Sequence, residues 1–401
     1  MKIAVVGVKE LPPHQGGIER ACAELYPRMV QQGHSVDLYA RASSTKLGWF
    51  EQSEFQGVRV ISMPAFGKRG VDALVSSALG SLVSSYGYDV VHFHALGPAM
   101  FSIIPYVVSP RTKIVVTCHG LDWQRAKWGS FAKTLLQFGE RSAVRCADEM
   151  IVVSQALCSY FEQTYQRPTH YVPNASAPYA YSDPSFQFGQ SLGLSKQKYI
   201  VFLGRLVPEK SPDLLIQAFQ QLRPAGWKLA LVGGTSDTSA YTQNIRTLAN
   251  DDPEVVFTGE LRGEKLAEVM RGAGLFVLPS YVEGMPLAML EAMMEGIPVL
   301  ASDIAPHQQL LDKERGLLFE TGSIDDCAQQ LNWAVQHPTE LQKIAKGAQD
   351  YAQLNHSWER ITSETLGIYD QSLLVPSIAE AQERMKGVPE RIANVSERLA
   401  S

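Results

Sequence analysis

Along most of the chain, short runs of nearly unbroken apolar residues alternate with longer stretches whose apolar positions recur every three or four residues. Ile3–Val8, Ser35–Ala40, Val58–Ser62, Asp89–Phe93, Lys113–Thr117 and Glu149–Val153 read as strands. Between several of them, Ile18–Gln32, Val71–Ser85 and Phe131–Arg145 read as amphipathic helices. Strands that are apolar on both faces and alternate with helices predict a parallel sheet covered on two sides.

The alternation pauses over Pro173–Lys198, a stretch rich in Ser, Pro, Ala and Gly that reads as a linker. It then resumes with strands at Tyr199–Leu203, Lys228–Val232, Glu254–Phe257, Leu275–Leu278 and Pro298–Ala301. Helices are expected near Pro212–Leu222, Ala240–Asn250, Gly263–Arg271, Pro286–Glu295 and Ile324–Gln336. The expectation is an α/β protein of two doubly wound parallel-sheet domains, residues 1–175 and 176–356, with a ligand cleft between them beyond the carboxyl ends of the strands. Residues 357–401 change character: helices near Ser357–Ser372 and Ile378–Leu399 carry mixed charge, and the first is expected to pack back on the first domain.

Composition narrows the class of protein. Hydrophobic residues make up 45% and charged residues 19%, enough apolar material for two cores and unlike a disordered or collagen-like chain. A net charge of -5 gives no pull toward nucleic acid. The five cysteines form no C-x-x-C and no metal-ligand spacing, as expected of reduced thiols in the cytoplasm. No secretory signal is read at the N-terminus, and Val90–Pro110, though uncharged, is broken by three prolines and two histidines.

Four segments carry candidate chemistry. Glu283-Gly-Met-Pro-Leu-Ala-Met-Leu-Glu291 follows the strand Leu275–Leu278. Pro286 suits a first helical turn, Gly284 admits a ligand close to the backbone, and the N–H groups around Met285–Leu287 make an anion site at the positive end of the helix. Glu283 and Glu291 are spaced to grip the two ends of a nucleotide-sugar; the other reading is two surface glutamates flanking an ordinary helix. Gly204-Arg-Leu-Val-Pro-Glu-Lys210 places Arg205 and Lys210 in one loop after a strand, either as phosphate ligands or as solvated charges. Gly16-Gly17, between the first strand and helix, suits a phosphate or an unliganded turn. His119 ends the strand Lys113–Thr117, facing the cleft or sitting as a satisfied turn histidine. His92 and His94 share one face of a strand without a third metal ligand in view.

Taken together, Gly204-Arg205…Lys210, Glu283-x₇-Glu291, Gly16-Gly17 and His119 resemble the retaining glycosyltransferases of family 4. The resemblance extends from the first strand to about Leu366, through the phrases FHALGP, VVTCHGLDWQRAKWG, ADEMIVVS, YVPNAS, VVFTGEL and LFVLPSYVEGMPLAMLEAMMEGIPVLASD. It implies the GT-B fold, two Rossmann-like domains, the first for an acceptor and the second for a nucleotide-sugar donor. By matched position, Arg205 and Lys210 would bind the donor diphosphate and Glu291 the ribose. Glu283 with the backbone of Gly284, Met285, Pro286 and Leu287 would hold the transferred sugar and phosphates, and His119 would sit beside that sugar. Gly16 and Gly17 would border the phosphate and acceptor, and Gly259 to Leu261 would meet the base through backbone. Gln15-Gly16-Gly17 departs from the K-T-G-G of glycogen-synthase-like members, which argues against a glucan-extending synthase. HGLDWQRAKWG looks most like members that build bacterial exopolysaccharide, capsule or lipid-linked glycans.

The resemblance implies a retaining hexosyl transfer, from a UDP-sugar before GDP or ADP, to a glycan or lipid-linked acceptor. No cofactor and no metal are expected, since no Asp-x-Asp motif is present. The segment Gln124–Arg145 carries five cations against Glu140, with Trp128, Phe131, Leu135 and Phe138 at helical steps. That stripe suits either an anionic membrane surface, at the inner face of the cytoplasmic membrane, or the sheet of the first domain. Competing readings are a sugar-nucleotide epimerase of the same architecture and a non-enzymatic two-domain solute-binding protein. A dehydrogenase is disfavoured by the missing glycine fingerprint.

Overall fold

The computed structural model describes residues 1–14, 16–45, 47–66, 70–124, 128–234, 239–312 and 314–370. Gln15, Arg125, Lys127 and the helix expected over Ile378–Leu399 lie outside the described residues. The described residues divide into two compact units, Met1–Pro173 with Trp358–Asp370, and Asn174–Ser357.

The first unit holds β1 (Lys2–Val6), β2 (Ser35–Arg41), β3 (Gln52–Phe55), β4 (Val58–Met63), β5 (Val90–His94), β6 (Lys113–Cys118), β7 (Glu149–Val152) and β8 (His170–Tyr171). They form one sheet in the order β3-β4-β2-β1-β5-β6-β7-β8, parallel except for the β3–β4 hairpin. The chain winds outward from β1 in one direction and from β5 in the other, so the strand order reverses between them. There Val5 pairs with Leu38 on one side and His92 on the other. The helix Trp358–Asp370 belongs to this unit and meets the helix Gly17–Gln31, with Arg28 Nε donating to Glu359 Oε1 at 3.3 Å.

The second unit holds β9 (Tyr199–Leu203), β10 (Lys228–Val232), β11 (Val255–Gly259), β12 (Leu275–Leu278), β13 (Val299–Ser302) and β14 (Leu317–Phe319). All are parallel, in the order β11-β10-β9-β12-β13-β14, with the reversal between β9 and β12. Crevices at such reversals are where open α/β sheets take ligands. The loops that leave β9 and β12 are the two that carry Lys210 and Glu283.

Two expectations are corrected. The stretch Pro173–Lys198 is not a linker throughout: the helix Gln187–Ser191 lies inside it, and Phe186 and Leu194 belong to the core of the second unit. Pro286 caps the helix Leu287–Met294 from outside instead of opening its first turn. Of the two readings left open for Glu291, that of a surface glutamate does not hold: it is 6% exposed, and the helix buries Met289, Leu290, Ala292 and Met293 around it.

Candidate functional site

In the second unit the loop after β9 and the loop after β12 are stitched together. Lys210 Nζ donates to Glu283 Oε1 at 2.6 Å, and Ser280 Oγ donates to the same oxygen at 2.8 Å. The backbone N–H of Tyr281 donates to Glu209 O at 2.9 Å. Burial pushes the Glu283 carboxyl up, but the Lys210 charge and hydrogen bond, with His307 and Ser280, outweigh it and hold the group below its ordinary value. Glu283 is therefore an ionised carboxylate at neutral pH, and both bonds end on Oε1. Gly204 leaves room for this, since a Cβ there would stand 2.9 Å from Lys210 Cδ.

Behind Glu283 stand residues that sequence reasoning did not single out. Ser302 Oγ donates to Ser280 O at 2.5 Å, and His307 Nδ1 donates to Ser302 O at 2.9 Å. Burial holds His307 down to about 4, so it is neutral, and its buried Nε2 has no hydrogen-bond partner among the described residues. Nothing in the sequence near Ser280 or Ser302 marks this chain, because its members are linked only by the pairing of β12 with β13.

The helix Leu287–Met294 begins with no side-chain cap, and its first bonded N–H groups are those of Met289 and Leu290, both to Pro286 O. The N–H groups of Leu287 and Ala288 precede that ladder, which is the arrangement that receives an anion. Met285 and Gly284 are half-buried in the turn before it. Glu291 lies one turn further on and accepts from Tyr179 Oη at 3.0 Å. Tyr179 sits in the segment read as linker, which is why it was missed.

Arg205 is more open, with Glu209 3.9 Å from Nη2. The carboxyl ends of β9, β10 and β11 converge on glycines: Gly204 N bonds Val232 O and Gly233 N bonds Gly259 O, each at 3.0 Å. A Cβ on Gly233 would stand 1.8 Å from Gly204 O, and one on Gly234 2.3 Å from Glu260 Oε1. The Gly259 carbonyl thus already accepts from Gly233, and from Thr258 Oγ1 at 2.9 Å, while Leu261 is half-buried just beyond. The dipeptide Gly233-Gly234 after a strand was the available signal.

In the first unit, Gly16 takes φ 106° directly before the helix that Gly17 opens. A Cβ at Gly16 would meet Glu19 Oε2 at 2.1 Å. The buried Glu19 carboxylate folds back over that helix start, where sequence reasoning placed only glycines and a phosphate. His119 follows β6, half-buried, with Nε2 2.9 Å from His94 Nδ1. His92 and His94 stack at 4.3 Å and are bonded to Tyr26, Tyr369 and Thr117, not arranged around a metal. Among the described residues no group of three His, Cys, Asp or Glu is placed to hold a metal ion.

Two family models match the chain in succession: "Glycosyltransferase Family 4" over residues 15–175 and "Glycosyl transferases group 1" over residues 185–351. The chain is a glycosyltransferase of the family 4 type. Its fold is GT-B, as the two parallel-sheet units and the solved neighbours both indicate. It is 25% identical over 395 residues to an uncharacterized glycosyltransferase of Methanocaldococcus jannaschii, covering 92% of this chain and 98% of the relative. It is also 25% identical to an Escherichia coli enzyme named UDP-Gal:alpha-D-GlcNAc-diphosphoundecaprenol alpha-1,3-galactosyltransferase, over 81% of this chain and 86% of that one. Anabaena HepE, solved with UDP and glucose, superposes with a TM-score of 0.76 at 20% identity, covering 92% of this chain and 100% of that one.

The basic segment of this glycosyltransferase forms the helix Ser130–Cys146, which packs on the short helix Leu96–Ala99 closely enough that a Cβ at Gly139 would meet Leu96 O at 2.2 Å. Leu135 and Phe138 are half-buried, whereas Phe131 is 84% exposed and Arg141 and Arg145 are exposed. Glu140 faces inward and accepts from Trp123 Nε1 and Tyr160 Oη, both at 2.8 Å, and from Tyr165 Oη at 2.5 Å. Among the described residues no helix is long and apolar enough to cross a membrane.

Proposed function

We propose that this glycosyltransferase moves a hexose from a UDP-sugar to a hydroxyl of a glycan or lipid-linked acceptor, with retention at the anomeric carbon and without a metal. The observation that carries the reading is the half-buried Lys210–Glu283 pair beside the uncapped start of the helix Leu287–Met294, with Glu291 one turn along it. A diphosphate laid against that helix start meets the first N–H groups, the remaining ammonium hydrogens of Lys210 and the guanidinium of Arg205. As the bond from the anomeric carbon to the phosphate oxygen breaks, charge gathers on the diphosphate and is stabilised by these groups. The acceptor oxygen bonds the same face of that carbon, and its proton passes to the departing phosphate. Glu283 fixes Lys210 and takes hydroxyls of the sugar, Glu291 takes the ribose, and His119 lies beside the sugar.

UDP is favoured by the name of the Escherichia coli relative and by the UDP and glucose bound in HepE. Exposed Phe131, Arg141 and Arg145 suit contact with anionic lipid at the inner face of the membrane, where a lipid-linked acceptor would lie. The test is a thermal-shift panel of UDP, GDP, ADP and CMP, followed by hydrolysis of the matching donor. A ligand that binds only the native state raises its apparent stability. A shift for UDP alone supports the reading; a shift for GDP or ADP alone replaces the base, and a flat panel overturns the donor site. Co-sedimentation with anionic and neutral vesicles tests the membrane contact, which no preference for anionic lipid would remove.

A further inference from the structure

The histidines of β5 form part of a connected chain of polar groups inside the first unit. Thr117 Oγ1 is 2.7 Å from His92 Nε2, and His92 Nδ1 is 2.6 Å from Tyr369 Oη and 3.0 Å from Tyr26 Oη. Tyr26 Oη is 2.5 Å from His94 Nε2, and His94 Nδ1 is 2.9 Å from His119 Nε2. His92, His94, Tyr26 and Tyr369 are buried, and His119 stands at the rim. Burial holds His92 down to about 3 and His94 well below its ordinary value, so both rings are neutral and each carries one ring hydrogen.

A neutral imidazole donates from one nitrogen and accepts at the other, so each ring passes on the polarity it receives. Among the described residues the Thr117 hydroxyl bonds only His92 Nε2, and a buried hydroxyl hydrogen without an acceptor is costly. Thr117 therefore donates to His92 Nε2, which places the His92 hydrogen on Nδ1, facing the two phenol oxygens. The Tyr26 hydrogen is then turned away from His92, and of the two acceptors left to it, the Tyr369 phenol oxygen and His94 Nε2 at 2.5 Å, the more basic imidazole nitrogen takes it. His94 donates in turn from Nδ1 to His119 Nε2.

We propose that Thr117, His92, Tyr26 and His94 form a one-way hydrogen-bond relay that keeps the His119 proton on Nδ1, so that His94 and Thr117 are positioning residues for His119. The catalytic consequence rests on the reading of His119 beside the donor sugar: His119 then meets that sugar in a single tautomer. In water an imidazole exchanges freely between its two tautomers, and pre-setting one removes that reorganisation from the reaction.

The test uses the full chain labelled with ¹⁵N-histidine, with ring nitrogens read by long-range ¹H–¹⁵N correlation and His119 assigned from Thr117-competent protein lacking it, H119A. The expected result is a His119 ring protonated on Nδ1. T117V, nearly isosteric, should leave His119 a mixture of tautomers, while T117S should restore the wild-type spectrum. Turnover should follow, with kcat down about fivefold in T117V, the worth of one ordinary hydrogen bond, and the donor KM little changed. Y26F should behave like T117V. A wild-type His119 protonated on Nε2, or a folded T117V that keeps the wild-type tautomer, overturns the relay. If H119A turns over donor as fast as the wild type, the assignment of His119 to the sugar fails even where the tautomers are as expected.

Discussion

Replacing Lys210 by Met removes a cation of similar shape from a carboxylate that the fold keeps away from water. The side chains of Lys210 and Glu283 are 17% and 12% exposed, and their 2.6 Å contact spans two loops leaving adjacent strands. Losing one partner of a fully buried pair costs ~3–5 kcal/mol, and the partial exposure puts this pair nearer about 2–3 kcal/mol. In the wild type the Glu283 pKa lies below its unfolded value of about 4.3, so the pair's stabilisation is fully present above that pH and is lost as pH falls through the folded value. In K210M the two largest contributions opposing burial are gone and only Ser280 and His307 remain against it, so the carboxyl rises, and the variant is least stable near neutrality and recovers as Glu283 takes a proton. The gap between wild type and K210M, measured by urea unfolding at several pH values, should therefore be widest near pH 7 and close toward pH 4. E283Q added to K210M should recover most of the loss at pH 7, because an amide is cheaper to bury than a bare carboxylate. Donor turnover should collapse in both variants. An equal stability for K210M and wild type at pH 7, or a gap that does not change with pH, refutes the account of the pair.

Three further outcomes follow from the same geometry. Y179F takes away the phenol that bonds Glu291 Oε2 and should weaken UDP binding about fivefold to tenfold by calorimetry, with thermal stability little altered. G233A drives a Cβ into Gly204 O and should destabilise by about 1–3 kcal/mol, with the nucleotide-induced thermal shift lost, to be measured by differential scanning calorimetry of wild type and variant with and without UDP. His307 and His92 are held down to about 4 and about 3, below the unfolded value of about 6.5, so the unfolded state binds more protons between those limits. Stability should thus fall as pH drops below about 6.5, by up to about 1.4 kcal/mol per pH unit for each histidine, and the fall should be shallower in H307N.

What the sequence made legible, and what it hid, follows from how each feature is held. β9, β10 and β12 lie where apolar runs placed them, residue for residue, because a parallel strand buried on both faces reads as an unbroken run. β3, with the sequence QSEF, is an edge strand exposed on most of its length, and nothing apolar announces it. The helix Pro338–Asn355 buries Leu341, Ala345, Ala348 and Ala352, a stripe of small residues whose period is helical but whose hydrophobic signal is weak. The candidate site divides the same way. Glu283, Glu291, Arg205 and Lys210 were visible because each sits a few residues past a strand end or one turn into a helix, positions that local pattern fixes. Their partners were not, since Lys210 meets Glu283 across 73 residues and Glu291 meets Tyr179 across 112. The relay behind His119 reaches further still, from His92 to Tyr369 across 277 residues. Period-2 alternation set His92 and His94 on one face of β5, but only the strand order β1-β5-β6 brings Tyr26, Thr117 and His119 around them. A side chain's chemistry can thus be read from its own neighbourhood, while its protonation state depends on partners that only the sheet topology supplies.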